Sequence, residues 1–566
     1  MTKDKLEPRQ KPFDVRPVRQ VSTLLSDCYK FSHRALYPEG TEYVYSTETP
    51  RANSYFPWND KMVAFGYEMF VQRWLVEHFN ENFFNLPLSD VLADYTYIVE
   101  NALGSENADT EHIEALHNLG YLPIWVKALP EGIQVPMKVP VLTIENTNPD
   151  FFWLTNFLET LLLSETFVTS TVASMARELQ ALCLEFAEKT ADSNEYVPFQ
   201  CHDFSERGQH GNDASLLSGL GHLTSFAGSD TIQASIMAHN YYGADLESEL
   251  ILKSVVASEH SVMQSYGTDE VNTYRTLLRK FTEGILSLVS DTYDYFGVLT
   301  NVLPTLKSDV LARNGKTVIR PDSGDPATII AGTPVVNFDI EVDYDSLDDV
   351  LYTLLVPNKG VDNSLIVEGK GGLYLVELED IWGDGTWSIG NITPNYEPTV
   401  EDKGTLELLW DTFGGTVNSK GYKVLDPHIG LLYGEGITID RARQIFERME
   451  AKGFSAENVV FGVGAFVYSV SVSRDSFNIA FKSQLVVIDG EEKQIFKDPK
   501  TDVNHIKRSL KGKVVVLEED GQLVAHDGYS RTDIVRGDLL QTIFKDGERT
   551  RFTPFTVIKD RIADSI

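Results

Sequence analysis

Cysteine, positive charge and long apolar runs are scarce in this sequence. Of its 566 residues only Cys28, Cys183 and Cys201 are cysteine. None has the C-x-x-C spacing of a metal site, and three thiols cannot build a disulfide framework. A reducing, cytoplasmic setting is therefore expected. No stretch reaches the roughly 18 consecutive apolar residues of a membrane-spanning helix. The opening, MTKDKLEPRQKPFD, lacks the apolar core of a secretory signal. Lysine and arginine number 49 against 83 aspartates and glutamates, a formal net charge of −34. Such a field repels nucleic acid and anionic membranes, so neither is an expected partner. It also repels phosphorylated metabolites. A chain of this charge that binds them needs a local basic pocket inside its acidic shell. No internal repeat or long low-complexity tract is present.

What is there reads as globular. Hydrophobic residues make up 42% and charged residues 23%, near the average for soluble domains. At roughly 100–200 residues per domain, two to four compact units are expected. Residues 1–20 are polar with scattered prolines and read as a loose terminus. Residues 133–145 alternate apolar and polar and read as a strand, with Pro136 and Pro140 favouring an edge position. Residues 151–165 are apolar enough for a buried helix. Residues 171–189 set Val172, Met175, Leu179, Leu182, Cys183 and Phe186 at helical spacing, with Arg177, Glu178 and Glu185 off that stripe.

Beyond these the rhythm changes. Thr317–Ile319 runs into Arg320-Pro321-Asp322-Ser323-Gly324. Leu431–Tyr433 runs into Gly434-Glu435-Gly436, and a helix follows with Ile439, Ala442, Ile445, Phe446 and Met449 inward and Gly453 as its stop. Val459–Phe461 runs into Gly462-Val463-Gly464. Strand, glycine loop and helix in repetition predict an α/β barrel or doubly wound sheet. In barrels, chemistry sits in the loops after the strands. Residues 333–405 break the rhythm and read as a β-rich insertion. From about Ser483 the runs Leu485–Ile488 and Val514–Leu517 read as strands, with a basic stretch from Lys497 to Lys511.

Three kinds of group fall in the loops. Gly434, Gly436, Gly462 and Gly464 offer backbone amides that can approach a phosphate. Taken alone, such GxG pairs are more often ordinary tight turns. Arg207, Arg320, Arg474, Lys482, Lys497 and Lys507 are cations that match phosphate by fork or point charge. Any one of them alone reads as a solvated surface charge. Asp230, Glu259, His260, Asp291, Asp322 and Glu435 supply acid–base groups. A carboxylate at a strand end can hold an imidazole tautomer, and a surface histidine with capping aspartates fits the spacing equally. The residues by themselves reach an α/β enzyme that handles phosphorylated small molecules.

At these same positions the sequence resembles the nicotinamide phosphoribosyltransferase family, within the type II phosphoribosyltransferases. The resemblance is carried in order by Ser26-Asp27-Cys28-Tyr29-Lys30, Ile144-Glu145-Asn146-Thr147-Asn148-Pro149, His202-Asp203-Phe204 with Arg207-Gly208, and Gly228-Ser229-Asp230-Thr231. Glu259-His260-Ser261, Ser290-Asp291, Ile319 to Gly324 and Phe496-Lys497-Asp498-Pro499 follow. It spans the chain apart from the first twenty residues and the insertion.

The resemblance implies an irregular α/β barrel over residues 166–474, interrupted by the 333–405 insertion. It also implies an α+β domain built from both chain ends, residues 21–165 with 475–566. It implies that nicotinamide displaces pyrophosphate from C1 of phosphoribosyl pyrophosphate, with Mg2+ on the pyrophosphate. ATP is hydrolysed alongside as a co-substrate, through a phosphorylated histidine in a homodimer. Phe204 then stacks on one face of the pyridine ring, and Tyr29 of a second subunit covers the other, with Asp27 assisting. Asp230 accepts from the carboxamide and repels nicotinate. Arg207, Arg320 and Asp322 surround ribose and base. Amides around Gly434, Gly464 and Ala465 hold the 5′-phosphate, with Glu435 between the first pair of glycines. Arg474, Lys482, Lys497 and Lys507, with Arg51, form the polyphosphate set. His260 is the residue phosphorylated, and Asp291 orients it. No resident metal ligand set is implied.

The sequence departs from the family in places. Glu435 stands where aspartate is usual, Ala465 where glycine is usual, and Ala480 where a hydroxyl residue is usual. The competing readings are a nicotinate phosphoribosyltransferase, which Asp230 argues against, and a non-catalytic nucleotide-binding homologue, which the retained set of charged residues argues against.

Overall fold

A computed structural model of the protein describes residues 16–337, 342, 364–380, 387–501 and 508–566. Seven parallel strands form the sheet that carries the site. In spatial order they are Gly228–Ser229, Cys201–Asp203, Val459–Val463, Ile429–Tyr433, Thr317–Arg320, Leu286–Val289 and Val256–Ala257. The two edges meet, because Lys253, just ahead of the last strand, pairs in parallel with Gly228 of the first. Lys253 N–H donates to the Ala227 carbonyl, and Ser229 N–H donates to the Lys253 carbonyl. The sheet thus curls into the expected irregular α/β barrel, and its edges are paired rather than exposed. Ile429–Tyr433 is buried at every position, as a parallel strand covered by helices requires.

The helix Ile439–Ala451 buries Ile439, Ala442, Ile445, Phe446 and Met449, the residues its spacing predicts. Thr438 caps it by accepting the Arg441 N–H. Gly453, with φ +73°, donates its N–H back to the Glu450 carbonyl and ends the helix in the left-handed conformation that glycine adopts without strain.

The helix predicted over 171–189 buries all six stripe residues and begins earlier, running unbroken over Glu159–Thr190. It therefore crosses the junction between residues 165 and 166. The helix expected over 151–165 is instead the short Leu154–Phe157 piece followed by the start of this long one. Arg177 is also buried, because its guanidinium reaches Glu178 and the Ser565 carbonyl at the end of the chain.

A second seven-stranded sheet, antiparallel, draws on both ends of the chain. Its order is Glu491–Gln494, Ala480–Ile488, Thr41–Thr49, Leu142–Asn146, Ile124–Ala128, Gln541–Lys545 and Glu548–Arg549. The single edge strand expected over 133–145 is two strands, Gln134–Pro136 and Leu142–Asn146. Lys138 turns between them with φ +71°. Leu142–Asn146 is internal to the sheet. Pro136 lies in a separate two-stranded pairing with Lys61–Val63, and Pro140 precedes the internal strand. Neither proline therefore removes a donor from the seven-stranded ladder.

Within the insertion, Val335–Asn337, Ser364–Gly369, Gly372–Asp380 and Trp387–Pro394 make a four-stranded sheet. It has its own small core of Leu365, Val367, Val376 and Leu378. The helix that follows, Val400–Phe413, packs Leu406, Leu408 and Leu409 into the main core. Among the described residues no helix is long and apolar enough to cross a membrane. The three cysteines are unpaired.

Candidate active site at the barrel mouth

Every strand of the barrel hands its C-terminal end to a residue singled out from the sequence. Phe204 follows Cys201–Asp203, Asp230 follows Gly228–Ser229, and His260 lies just beyond Val256–Ala257. Asp291 follows Leu286–Val289, Arg320 ends its strand with Asp322 beyond, Gly434 and Glu435 follow Ile429–Tyr433, and Gly464 and Ala465 follow Val459–Val463. This is the end of a parallel barrel where loops from several strands converge.

Phe204 is held by its N–H, which donates to the Val463 carbonyl. Its ring lies on bare backbone. A Cβ at Gly462 would sit 2.5 Å from Phe204 Cδ2, and one at Gly434 3.6 Å from the same atom. The His202 ring lies 4.8 Å away, tilted by 45°. His202 Nε2 is 3.1 Å from Asp230 Oδ1, and Ser254 Oγ donates to that same oxygen. Burial pushes the Asp230 pKa up, but the hydrogen bonds from His202 and Ser254, with the charges of His202 and Arg320, outweigh it. They hold the carboxyl below its ordinary value. The result is a fixed anion beside an aromatic face.

Across the mouth, Arg320 donates from Nη2 to the Ser258 carbonyl at 2.8 Å, and its Nη1 is 3.8 Å from Asp322 Oδ2. Asp291 Oδ2 accepts from the Asp322 N–H and the Ser323 hydroxyl. Two buried polar atoms have no partner here: Arg320 Nε and Asp291 Oδ1. Buried polar atoms are normally satisfied, so this donor and acceptor are open to a polar partner. Asp291 was expected to orient His260, yet its Oδ1 is 3.8 Å from His260 Nε2, beyond hydrogen-bond length. The ring is held instead by Thr292 Oγ1, 3.1 Å from Nδ1. Gly434 joins the two halves of the mouth, since a Cβ there would lie 3.1 Å from Asp322 Oδ1. Arg207 is exposed in the short turn Glu206–Gly208. The glycine of that turn packs against Ala465, whose Cβ would meet a Cβ at 208 at 2.4 Å. Ala465 avoids the left-handed region, so alanine is compatible with this backbone. Glu435 is exposed.

The remaining cations gather elsewhere, on the antiparallel sheet. Arg51, Lys138, Lys482, Arg508 and Lys511 line a cavity of about 440 Å³ with Phe496 at its side. Burial lowers the Lys482 pKa, Glu159 opposes that, and the charges of Arg51, Lys497 and Arg474 lower it further. These four cations therefore share one field. Lys497 is tied across to Ser509 through both backbone and side-chain hydrogen bonds. Lys507 lies outside the described residues. Tyr29 is 57% exposed and touches His33 and Lys30, while Asp27 accepts from Thr160. Lys30 pairs with Glu159, the carboxylate that acts on Lys482, so Tyr29 and the cationic cavity occupy neighbouring ground. No described contact joins Tyr29 to Phe204 or Asp230.

Several residues of this arrangement were not singled out in the sequence. His202 sits inside the His202-Asp203-Phe204 motif, so its position was visible although its bond to Asp230 was not. Ser323 lies inside the Ile319 to Gly324 motif, so its position was visible although its bond to Asp291 was not, whereas Ser254 and Thr292 carry no sequence signal, being ordinary hydroxyls on different loops. Lys138, Arg508 and Lys511 join Lys482 only through the fold.

A parallel barrel with an aromatic face, a carboxylate and an arginine at its mouth, in a chain that carries a cationic cavity on its antiparallel sheet, fits a phosphoribosyltransferase. Residues 199–548 match the nicotinate phosphoribosyltransferase (NAPRTase) family, and the chain belongs to that family. It is 38% identical over 566 residues to the nicotinamide phosphoribosyltransferase of Acinetobacter baylyi, covering 98% of each protein. It is 33% identical over 512 residues to the nicotinamide phosphoribosyltransferase of Mycoplasma pneumoniae, covering 87% of this chain and 94% of that protein. The crystal structure of nicotinate-nucleotide pyrophosphorylase from Pyrococcus furiosus covers 98% of both chains with a TM-score of 0.50 at 14% identity, a likeness of fold. The resemblance read from the motifs is thus borne out.

Proposed function

We propose that the protein is a nicotinamide phosphoribosyltransferase, joining nicotinamide to phosphoribosyl pyrophosphate to give nicotinamide mononucleotide and pyrophosphate. The observation that carries this choice of base is the Asp230 carboxylate, fixed and ionised beside Phe204. An anion there accepts a hydrogen bond from a carboxamide NH₂ and repels the carboxylate of nicotinate, so one group both attracts and excludes. The relatives named as nicotinamide phosphoribosyltransferases support the same reading.

In the reaction the pyridine nitrogen forms a bond to C1 as the bond from C1 to the pyrophosphate oxygen breaks. Positive charge develops on the ribose ring. The protein's part is to hold the ring on Phe204, position the ribose between Arg320 and Asp322, and neutralise the departing pyrophosphate. Magnesium bound to the polyphosphate would add to that neutralisation. The unpartnered Asp291 Oδ1 and the nearby Asp322 are oxygen donors of the kind magnesium takes. Among the described residues no group of three or more His, Cys, Asp or Glu could hold a metal ion, so substrate oxygens and water would supply the other ligands.

Tyr29 and the Arg51, Arg474, Lys482 and Lys497 cluster act, in this reading, on the site of a second subunit in a homodimer, which supplies both the second aromatic face and the polyphosphate cations. The exposed Tyr29 ring favours this. ATP acts as co-substrate by phosphorylating His260, whose added charge improves alignment of the donor's magnesium–pyrophosphate group. Three unpaired thiols suit the reducing cytoplasm.

The test supplies nicotinamide or nicotinate with phosphoribosyl pyrophosphate, Mg2+ and ATP, to the wild type and to Asp230→Ser. The wild type is expected to prefer nicotinamide and the variant to shift toward nicotinate. A wild-type preference for nicotinate would overturn the choice of base, and an unchanged ratio in the variant would remove Asp230 from the base pocket. Absence of any turnover would favour a non-catalytic nucleotide-binding protein.

A further inference from the structure

We propose that His202 is a positioning residue that sets base selectivity by holding the Asp230 carboxylate in one orientation. The inference rests on the reading that Asp230 faces the carboxamide.

The carboxylate only accepts, so His202 Nε2, 3.1 Å from Asp230 Oδ1, carries the proton and donates. The imidazole is buried, its side chain 8% exposed, whereas that of Asp230 is 51% exposed. The anchor is thus inside and the acceptor open. Ser254 Oγ donates to the same Oδ1 from the opposite flank of the barrel seam. With two donors on Oδ1, Oδ2 is the oxygen left to receive an incoming NH₂. The imidazole has little room on its Gly228 side. A Cβ at Gly228 would lie 3.0 Å from His202 Nδ1, so even the bare glycine backbone is packed close to the ring.

Carboxylate torsions are broad and roughly two-fold, so nothing intrinsic to aspartate would keep Oδ2 aimed at the base. Arg320 already acts on Asp230 through its charge. Without the imidazole, the carboxylate is free to turn toward that guanidinium. Such a turn would withdraw the acceptor from nicotinamide and mask the charge that repels nicotinate. Both effects lower selectivity, and both act on base binding rather than on bond breaking at C1.

The experiment compares kcat and KM for the two bases in the wild type, His202→Phe, His202→Gln, Ser254→Ala and Asp230→Asn. His202→Phe is expected to lower the nicotinamide-to-nicotinate ratio of kcat/KM by about tenfold or more, the scale of a lost hydrogen bond to a charged group. The change should fall mainly on the nicotinamide KM. His202→Gln, which keeps a donor on a side chain of similar reach, should restore most of the ratio. Equal loss for both bases, or no rescue by glutamine, would mean that His202 only supports the fold and would overturn the proposal. If His202→Phe does not fold, His202→Leu takes its place, and an unchanged ratio in that variant would overturn the proposal, while Ser254→Ala, which keeps the imidazole, should retain more of the ratio than either. Asp230→Asn separates the two levels. A ratio unmoved by Asp230→Asn refutes the base-pocket reading itself. A ratio that collapses in Asp230→Asn but holds in His202→Phe refutes only the role given to His202.

Discussion

Gly462→Ala adds one methyl group beneath the ring proposed to carry the base. The added Cβ would stand 2.5 Å from Phe204 Cδ2, 2.7 Å from Cε2 and 2.6 Å from the Gly434 Cα. Comfortable carbon contacts begin near 3.5 Å, so something must move by about 1 Å. The Gly434 backbone leads directly from a barrel strand buried at every position, which leaves the partly buried Phe204 ring as the softer partner. Overpacking of this kind costs about 1–3 kcal/mol of stability, tolerable in a chain of this size. A 1 Å misplacement in a positioned site costs up to about 10²-fold in rate. The variant should therefore fold, with a modestly lowered Tm, and lose about ten- to a hundredfold in kcat/KM for nicotinamide. Gly434→Ala, whose nearest neighbour is Asp322 Oδ1 at 3.1 Å, should lose less. Steady-state kinetics beside thermal melts separate the two effects. A folded Gly462→Ala with wild-type KM and kcat would refute the claim that Phe204 forms the floor of the base pocket.

Three further outcomes follow from buried charge and from the proposed phosphohistidine. Burial pushes the Glu48 carboxyl up to about 8, so the folded protein keeps a proton that the unfolded chain gives up near its ordinary value. The stability this lends is complete below about pH 4.5 and is lost as pH rises through about 8, at about 1.4 kcal/mol per pH unit. Glu48→Gln should flatten that slope and gain on the wild type from pH 5 to pH 8 in denaturation experiments; an equal difference at both pH values would contradict this. Glu68 is fully buried between Arg549 and Arg551, so Arg551→Ala should cost about 3–5 kcal/mol by stranding part of its charge, read as a large drop in Tm. His260→Ala should leave slow transfer but abolish stimulation by ATP; persistent stimulation would exclude the phosphohistidine.

The parts of the barrel that were legible in the sequence are those where burial leaves a long enough trace. Ile429–Tyr433 and Val459–Val463 are continuous apolar runs ending in glycine, and the helix Ile439–Ala451 repeats its stripe over three turns. Cys201–Asp203, Gly228–Ser229 and Val256–Ala257 are only two or three residues long, too short to show any period. They were not read as strands; only the motifs at or just after them, His202-Asp203-Phe204, Gly228 to Thr231 and Glu259-His260-Ser261, were legible. The strand predicted over 133–145 failed because one alternating pattern covered two strands with a left-handed lysine between them. In the site, Asp230, Phe204 and Arg320 were legible as motif residues. The hydrogen bonds that fix them were not, because His202, Ser254 and Thr292 reach their partners across separate strands, and single serines or threonines have no distinguishing spacing. The local basic pocket demanded by a net charge of −34 was foreseen, but Lys138 was not, and Lys511 was legible only as the end of a basic stretch, since both meet Lys482 only in the fold.

The most direct test of the account is a crystal structure of the protein with nicotinamide bound. The ring should lie flat on Phe204 with its amide nitrogen within about 3 Å of Asp230 Oδ2, a normal hydrogen-bond distance. A ring seated away from Phe204, or an amide turned from Asp230, would contradict the account.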